Sequence, residues 1–210
     1  MADIEAELIA AAMEIAGTKG WRSVSVVAAA KAAQVPLADA RGVFPSKASI
    51  LLRFGRLADQ AALRDANDEG SVRDRLFDLL MRRFDALQAY RSGVLAIMHA
   101  APFDPCLAIL LACATKRSMR WMLQAAGCSA GGLGLELRVK GLVAVWLWAL
   151  RAWERDDTED LTVTMAALDT ALARAEQAAS WLSGTRGVNN PPEAPTEDTG
   201  SDDDAEDAAT

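Results

Sequence analysis

The stretch GWRSVSVVAAAKAAQVPLADARGVFPSK, residues 20–47, decides the fold. Two short helix-forming runs lie inside it, Val26 to Ala33 and Leu37 to Val43, separated by Gln34-Val35-Pro36. Ser25 is placed to cap the first, its side-chain oxygen accepting from a free amide of the opening turn. Val35-Pro36 closes that helix, because proline lacks an amide proton and restricts the residue before it. Phe44-Pro45 closes the second, and Ser46 caps a longer helix expected to reach about Asn67. Upstream, Ile4, Leu8, Ala11, Ala12, Ile15 and Ala16 share one helical face, and the run ends in Gly17-Thr18-Lys19-Gly20, where glycine can close a helix. Helices of about 15, 8 and 7 residues joined by tight turns match a helix-turn-helix, whose last helix would enter the major groove of DNA.

The charge distribution fits that reading. The 210 residues carry 22 Lys+Arg against 29 Asp+Glu, a formal net charge of −7. Eight of the acids fall between Gly187 and Thr210, where there is no base, so residues 1–186 hold 21 acids against 22 bases, a net +1. From Ile15 to Arg56 there are seven bases and one acid, Asp39, a local +6 that suits several phosphate contacts and a salt-dependent interaction. A basic patch of this size is also what a solvated helix face looks like.

Beyond Gly70 the chain continues as helices. Ser71 with Asp74 three residues on reads as a capping box and opens a helix with Val72, Leu76, Leu79, Leu80 and Phe84 on its apolar side. Further helices are expected at about Arg91–Ala101, Asp104–Ala126 and Leu133–Glu154, and a last one from a Thr158 cap to about Ser183. Residues 185–210 are Gly, Pro, Asn and acid with almost no large apolar side chain, and are expected to be disordered. No apolar run reaches the roughly 18 residues that span a membrane. Three cysteines without a signal peptide point to a reducing, cytoplasmic setting.

Gly20-Trp21-Arg22-Ser23-Val24-Ser25-Val26, the helix that follows, and Phe44-Pro45-Ser46-Lys47 with Ile50-Leu51-Leu52 resemble the TetR family of helix-turn-helix regulators. The match runs without a gap from about Ile9 to Phe54. The resemblance implies an all-α, TetR-like fold of about nine helices: a three-helix DNA-binding head over residues 1–56 and a larger helical ligand-binding and dimerisation domain over 57–184. It implies a transcriptional regulator that binds operator DNA as a homodimer. Lys19, Arg22, Lys47 and Arg53 would meet phosphates, and Leu37, Ala38, Asp39 and Arg41 would face the groove. The family often has glycine where this chain has Gln34, and a tyrosine where it has Arg41.

The second half concentrates bulky apolar residues. Trp146 and Trp153 are seven apart and share a helix face, while Trp148 points elsewhere. These residues read either as core with a dimer interface or as a pocket for a small apolar ligand. The pocket candidates are Met98, His99, Met119, Trp121, Met122 and Trp146, with methionine supplying an adaptable wall. No nucleophile–base arrangement, phosphate loop or metal-ligand spacing is readable, so neither catalysis nor a cofactor is expected. The acids from Glu154 to Asp160 read as caps. Arg73 to Arg91 and Leu137 to Leu161 also resemble the TetR-fold, lipid-binding accessory proteins of ubiquinone biosynthesis. That likeness implies an alternative function: a non-catalytic lipid- or isoprenoid-binding protein of the same accessory type, with a degenerate helix-turn-helix.

Overall fold

A computed structural model describes residues 2–64, 66, 69–128 and 132–187. These form nine α-helices and two 3-10 turns, with no strand among the described residues. The head contains α1 (Ala2–Lys19), a 3-10 turn (Trp21–Ser23), α2 (Val26–Ala32) and α3 (Leu37–Val43). Then come α4 (Lys47–Leu63), α5 (Val72–Gln88), α6 (Arg91–Ala100), a 3-10 turn (Ala101–Phe103), α7 (Pro105–Ala125), α8 (Gly132–Arg155) and α9 (Thr162–Gly187). The acidic stretch from residue 188 onward lies outside the described residues.

The local caps are those the sequence offers. Ser25 Oγ accepts from the amide of Ala28 at 3.0 Å. Ser46 and Ser49 form a reciprocal capping box at the start of α4, and Ser71 and Asp74 form another at the start of α5. Two helix ends differ from expectation. α4 stops at Leu63 with Arg64 as its C-cap, and the expected end at Asn67 lies outside the described residues. α9 starts at Thr162, not at Thr158, because Thr158 is recruited elsewhere. Its hydroxyl donates to Asp156 Oδ1 and accepts from the Thr162 amide, and Leu161 between them takes a left-handed φ of 53°. At its other end, α9 runs past Ser183 to Gly187.

Buried apolar side chains form one continuous cluster from Leu8 to Leu172. α1 crosses α6 so closely that a Cβ on Gly93 would come within 2.5 Å of the Met13 carbonyl oxygen. Ser92 closes on Gly17 to the same degree, so glycine on both helices permits the crossing. α5 lies antiparallel to α4: Tyr90, just past α5, meets the Phe54 ring edge-on at 5.4 Å, and Arg83 lies opposite Asp59. The start of α5 is therefore remote from the head and its end is close to it. α8 runs toward the head, bringing Trp153 Nε1 to Gln88 Oε1 at 2.9 Å. α9 turns back from there, and Asp169 already pairs with Arg73 at the remote end. No single described helix is long and apolar enough to cross a membrane; α6 and α7 pass that test only as a pair bent by 120°.

Gln34 takes φ 57° in the turn between α2 and α3. A side chain in this left-handed region costs roughly 1 kcal/mol that glycine avoids. Gln34→Gly is therefore expected to leave stability unchanged or raise it by up to about 1 kcal/mol, the gain being partly offset by the freer unfolded chain. A thermal melt checks this; a clear loss would mean that the glutamine side chain holds the turn.

Candidate nucleic-acid interface and ligand-binding core

The seven residues of α3 divide sharply. Ala40 is fully buried against the head, and Val43 is partly buried. Leu37, Ala38, Asp39, Arg41 and Gly42 face outward, with Leu37 52% exposed. The helix is held at both ends by backbone contacts: the Ala40 amide donates to the Pro36 carbonyl, and the Phe44 amide donates to the Ala40 carbonyl. Arg41 folds its guanidinium over the exit of α3 and donates to the Pro45 carbonyl oxygen. Beside α3 is an open cleft of about 610 Å³, lined by Ile4 and Glu5 of α1, Ala38, Asp39, Gly42 and Val43 of α3, and Arg53 of α4.

The basic residues take different roles. Lys19 and Arg22 are exposed on either side of Gly20, whose φ of 80° turns the chain between them. Lys47 places its ammonium 5.0 Å from the centre of the buried Trp21 ring, which orients it at the start of α4. Arg53 turns inward: its Nε donates to Glu5 Oε1 at 2.6 Å, tying the start of α1 to α4.

The six residues singled out for a ligand pocket do not meet in one place. Met119, Met122 and Trp146 are buried in the core, and Met98 is half-buried. Trp121 and His99 are at the surface, where His99 Nε2 sits 2.7 Å from Glu154 Oε1. The core around Trp146 contains a charged group that no motif pointed to. Arg83 of α5 stacks its guanidinium 4.5 Å from the Trp146 ring centre, and Trp146 stacks on Phe84 at 4.4 Å. Arg83 Nε lies 3.0 Å from Asp59 Oδ1 of α4, and Ser118 Oγ of α7 donates to that same oxygen at 2.5 Å. Burial pulls the Arg83 pKa below its ordinary value, and Asp59 opposes the shift. A sequence signal existed: Arg83 falls at helical spacing on the stripe of Leu76, Leu79, Leu80 and Leu87.

Trp146 and Trp153 are buried, and Trp148 is exposed. On the outer face of α8, Leu137, Gly141, Ala144 and Trp148 follow a 4-3-4 spacing and are all exposed. Leu147 and, on α9, Val163 extend this apolar surface.

No protein-family model and no curated protein sequence matches the chain. Solved structures do. A TetR transcriptional regulator from Nitrosomonas europaea superposes with a TM-score of 0.68 at 22% identity, covering 83% of this chain and 99% of that one. A tetR-family transcriptional regulator from Streptomyces coelicolor gives 0.61 at 18% identity, covering 90% and 86%. A transcriptional regulator from Rhodococcus sp. Rha1 gives 0.59 at 22%, covering 83% and 96%. At these identities the likeness establishes the fold, which is that of the TetR-type regulators.

Proposed function

We propose that the chain is a transcriptional regulator that binds operator DNA as a homodimer through α3 and responds to a small ligand with an apolar body. The observation that carries this reading is the outward face of α3. A helix of two turns that buries Ala40 and leaves Leu37 half exposed presents a small, nearly flat surface to a partner. Leu37 and Ala38 suit a thymine methyl, Asp39 can accept from a cytosine amine, and Arg41 can bind guanine or phosphate. Arg41 has only to leave the exposed Pro45 carbonyl to do so.

Lys19, Arg22 and Lys47 are the phosphate contacts of this proposal; Arg53 serves by fixing α1 against α4. The head of residues 1–56 and the ligand-binding half of residues 57–184 share α4, which runs unbroken from one into the other. The apolar stripe on α8 supplies the dimer contact: its spacing is that of two helices packing side by side, and Gly141 and Ala144 allow close approach.

A salt titration of binding to DNA from upstream of the coding region tests the reading. Three phosphate contacts on each of two heads predict a slope of about −5 in log K against log salt. Arg41→Ala is expected to lose about 1–3 kcal/mol of preference for that DNA over random sequence. Absence of binding at low salt would sink the regulator. Native mass spectrometry for a copurified lipid would then test the alternative of a lipid-binding protein.

A further inference from the structure

Arg83 is short of acceptors in a place where acceptors matter. Only 9% of its side chain is exposed, and neither Nε nor Nη1 makes a hydrogen bond. Asp59 is close enough to serve, but its Oδ1 is engaged by the Ser118 hydroxyl on α7. The carboxylate therefore approaches the guanidinium without aligning with its fork. A well-placed carboxylate takes two parallel N–H bonds from arginine. A buried cationic donor left without them is a costly state of a polar group. The two sides of the pair differ: Trp146 covers the guanidinium face, whereas the Asp59 side chain is 18% exposed.

We propose that Arg83 is the anion-recognising group of a ligand site that takes a carboxylate carried on a flat apolar body, and that this carboxylate replaces Asp59 at the guanidinium. The exchange is like for like, so the charge balance of the core is kept while the idle Nε–H gains an aligned acceptor. Asp59 retains its Ser118 hydrogen bond or moves into water. Trp146, stacked between the guanidinium and Phe84, presents its ring edge to the body of the ligand. Asp59 belongs to α4, which starts directly after the turn closing α3. Replacing it therefore loosens α4 from α5 and α7 and biases the position of the head by the ligand's differential affinity for the two arrangements. This assignment deepens the ligand-responsive reading given above and rests on it.

Benzoate and benzamide share a flat ring and differ in charge, so they serve as probes on the full chain without DNA. Benzoate is expected to raise the melting temperature saturably in the millimolar range and to change tryptophan fluorescence, with an apparent Kd about tenfold or more below that of benzamide. Arg83→Met, close in volume, is expected to abolish the preference, whereas Ser118→Ala, which leaves both charges, is expected to keep it. Asp59→Asn removes the competing anion and is expected to tighten benzoate about tenfold. If that variant is unfolded alone, its recovery by benzoate and not by benzamide gives the same answer. Equal responses to the two probes, no saturable response to benzoate, or an undiminished preference in Arg83→Met would each overturn the proposal. Ordered water satisfying Arg83 predicts the second of these results. A chain that binds no DNA would remove the regulator reading and leave the benzoate result standing.

Discussion

Asp156→Ala is expected to lower the melting temperature by about 6–12 °C, from a loss of about 3 kcal/mol in a protein of this size. Asp156 is buried between α8 and α9 and works as a four-way acceptor. Oδ1 accepts from the amide and hydroxyl of Thr158, and Oδ2 from the amide and hydroxyl of Thr164, the latter two at 2.7 Å. Burial alone would push its carboxyl up, but these bonds more than offset it and hold the pKa at about 2, against an ordinary 3.8. The same bonds keep the buried Leu161 in its left-handed backbone conformation, which has no such support in the variant. The acid dependence has a definite sign. A carboxyl with a depressed folded-state pKa contributes stability above about pH 4, and that contribution is lost as the pH falls toward 2. Asp156→Asn, nearly isosteric but unable to ionise, should therefore flatten the acid limb of a stability–pH profile. A wild-type melting temperature in Asp156→Ala would show that the loop is held by something else.

Trp148→Glu is expected to leave the fold intact and abolish the dimer proposed above. Trp148 is 55% exposed, so the substitution opens no cavity, yet it replaces the largest apolar side chain of the α8 stripe with a charge. If the stripe joins two copies, the variant sediments as a monomer. Its affinity for a two-half-site operator falls by about 100-fold or more, since the second head is no longer held near the first. Light scattering and DNA binding on one sample separate the two effects. A variant that remains dimeric would move the interface away from α8.

Where the sequence could be read, the reason was local. Ser25, Ser46 and Ser71 each cap a helix through a residue three positions away, so short spacing carried the signal. Thr158 also caps, but its hydroxyl meets α9 four residues on, at the amide of Thr162, and the Thr164 amide goes to Asp156, eight residues before it. Arg53 and Arg41 counted equally as positive charge, but Glu5 lies 48 positions from Arg53 and nothing local announces that pairing. In α7, Ser118, Met119, Met122 and Leu123 follow the three-and-four rhythm of a buried face, and Trp121 falls off it. Reading Trp121 for its size rather than its phase put a surface residue among the pocket candidates. Arg83 erred in the opposite direction: it sits in phase with the leucines of α5, and its charge hid it.

The direction of α9 also settles a matter of reach. The helix leaves the head side of the molecule, passes Arg73 at Asp169, and continues for eighteen residues to Gly187, about 27 Å at the helical rise. Asp207, the last of the eight acids, is twenty residues further along the sequence. Ions screen exposed charges beyond about 8–10 Å. Gly187, the last described residue before the acids, is carried beyond the pole remote from α3. The −7 of the whole sequence therefore divides by place as well as by number: the local +6 between Ile15 and Arg56 belongs to the head, and the acids are attached past the opposite pole.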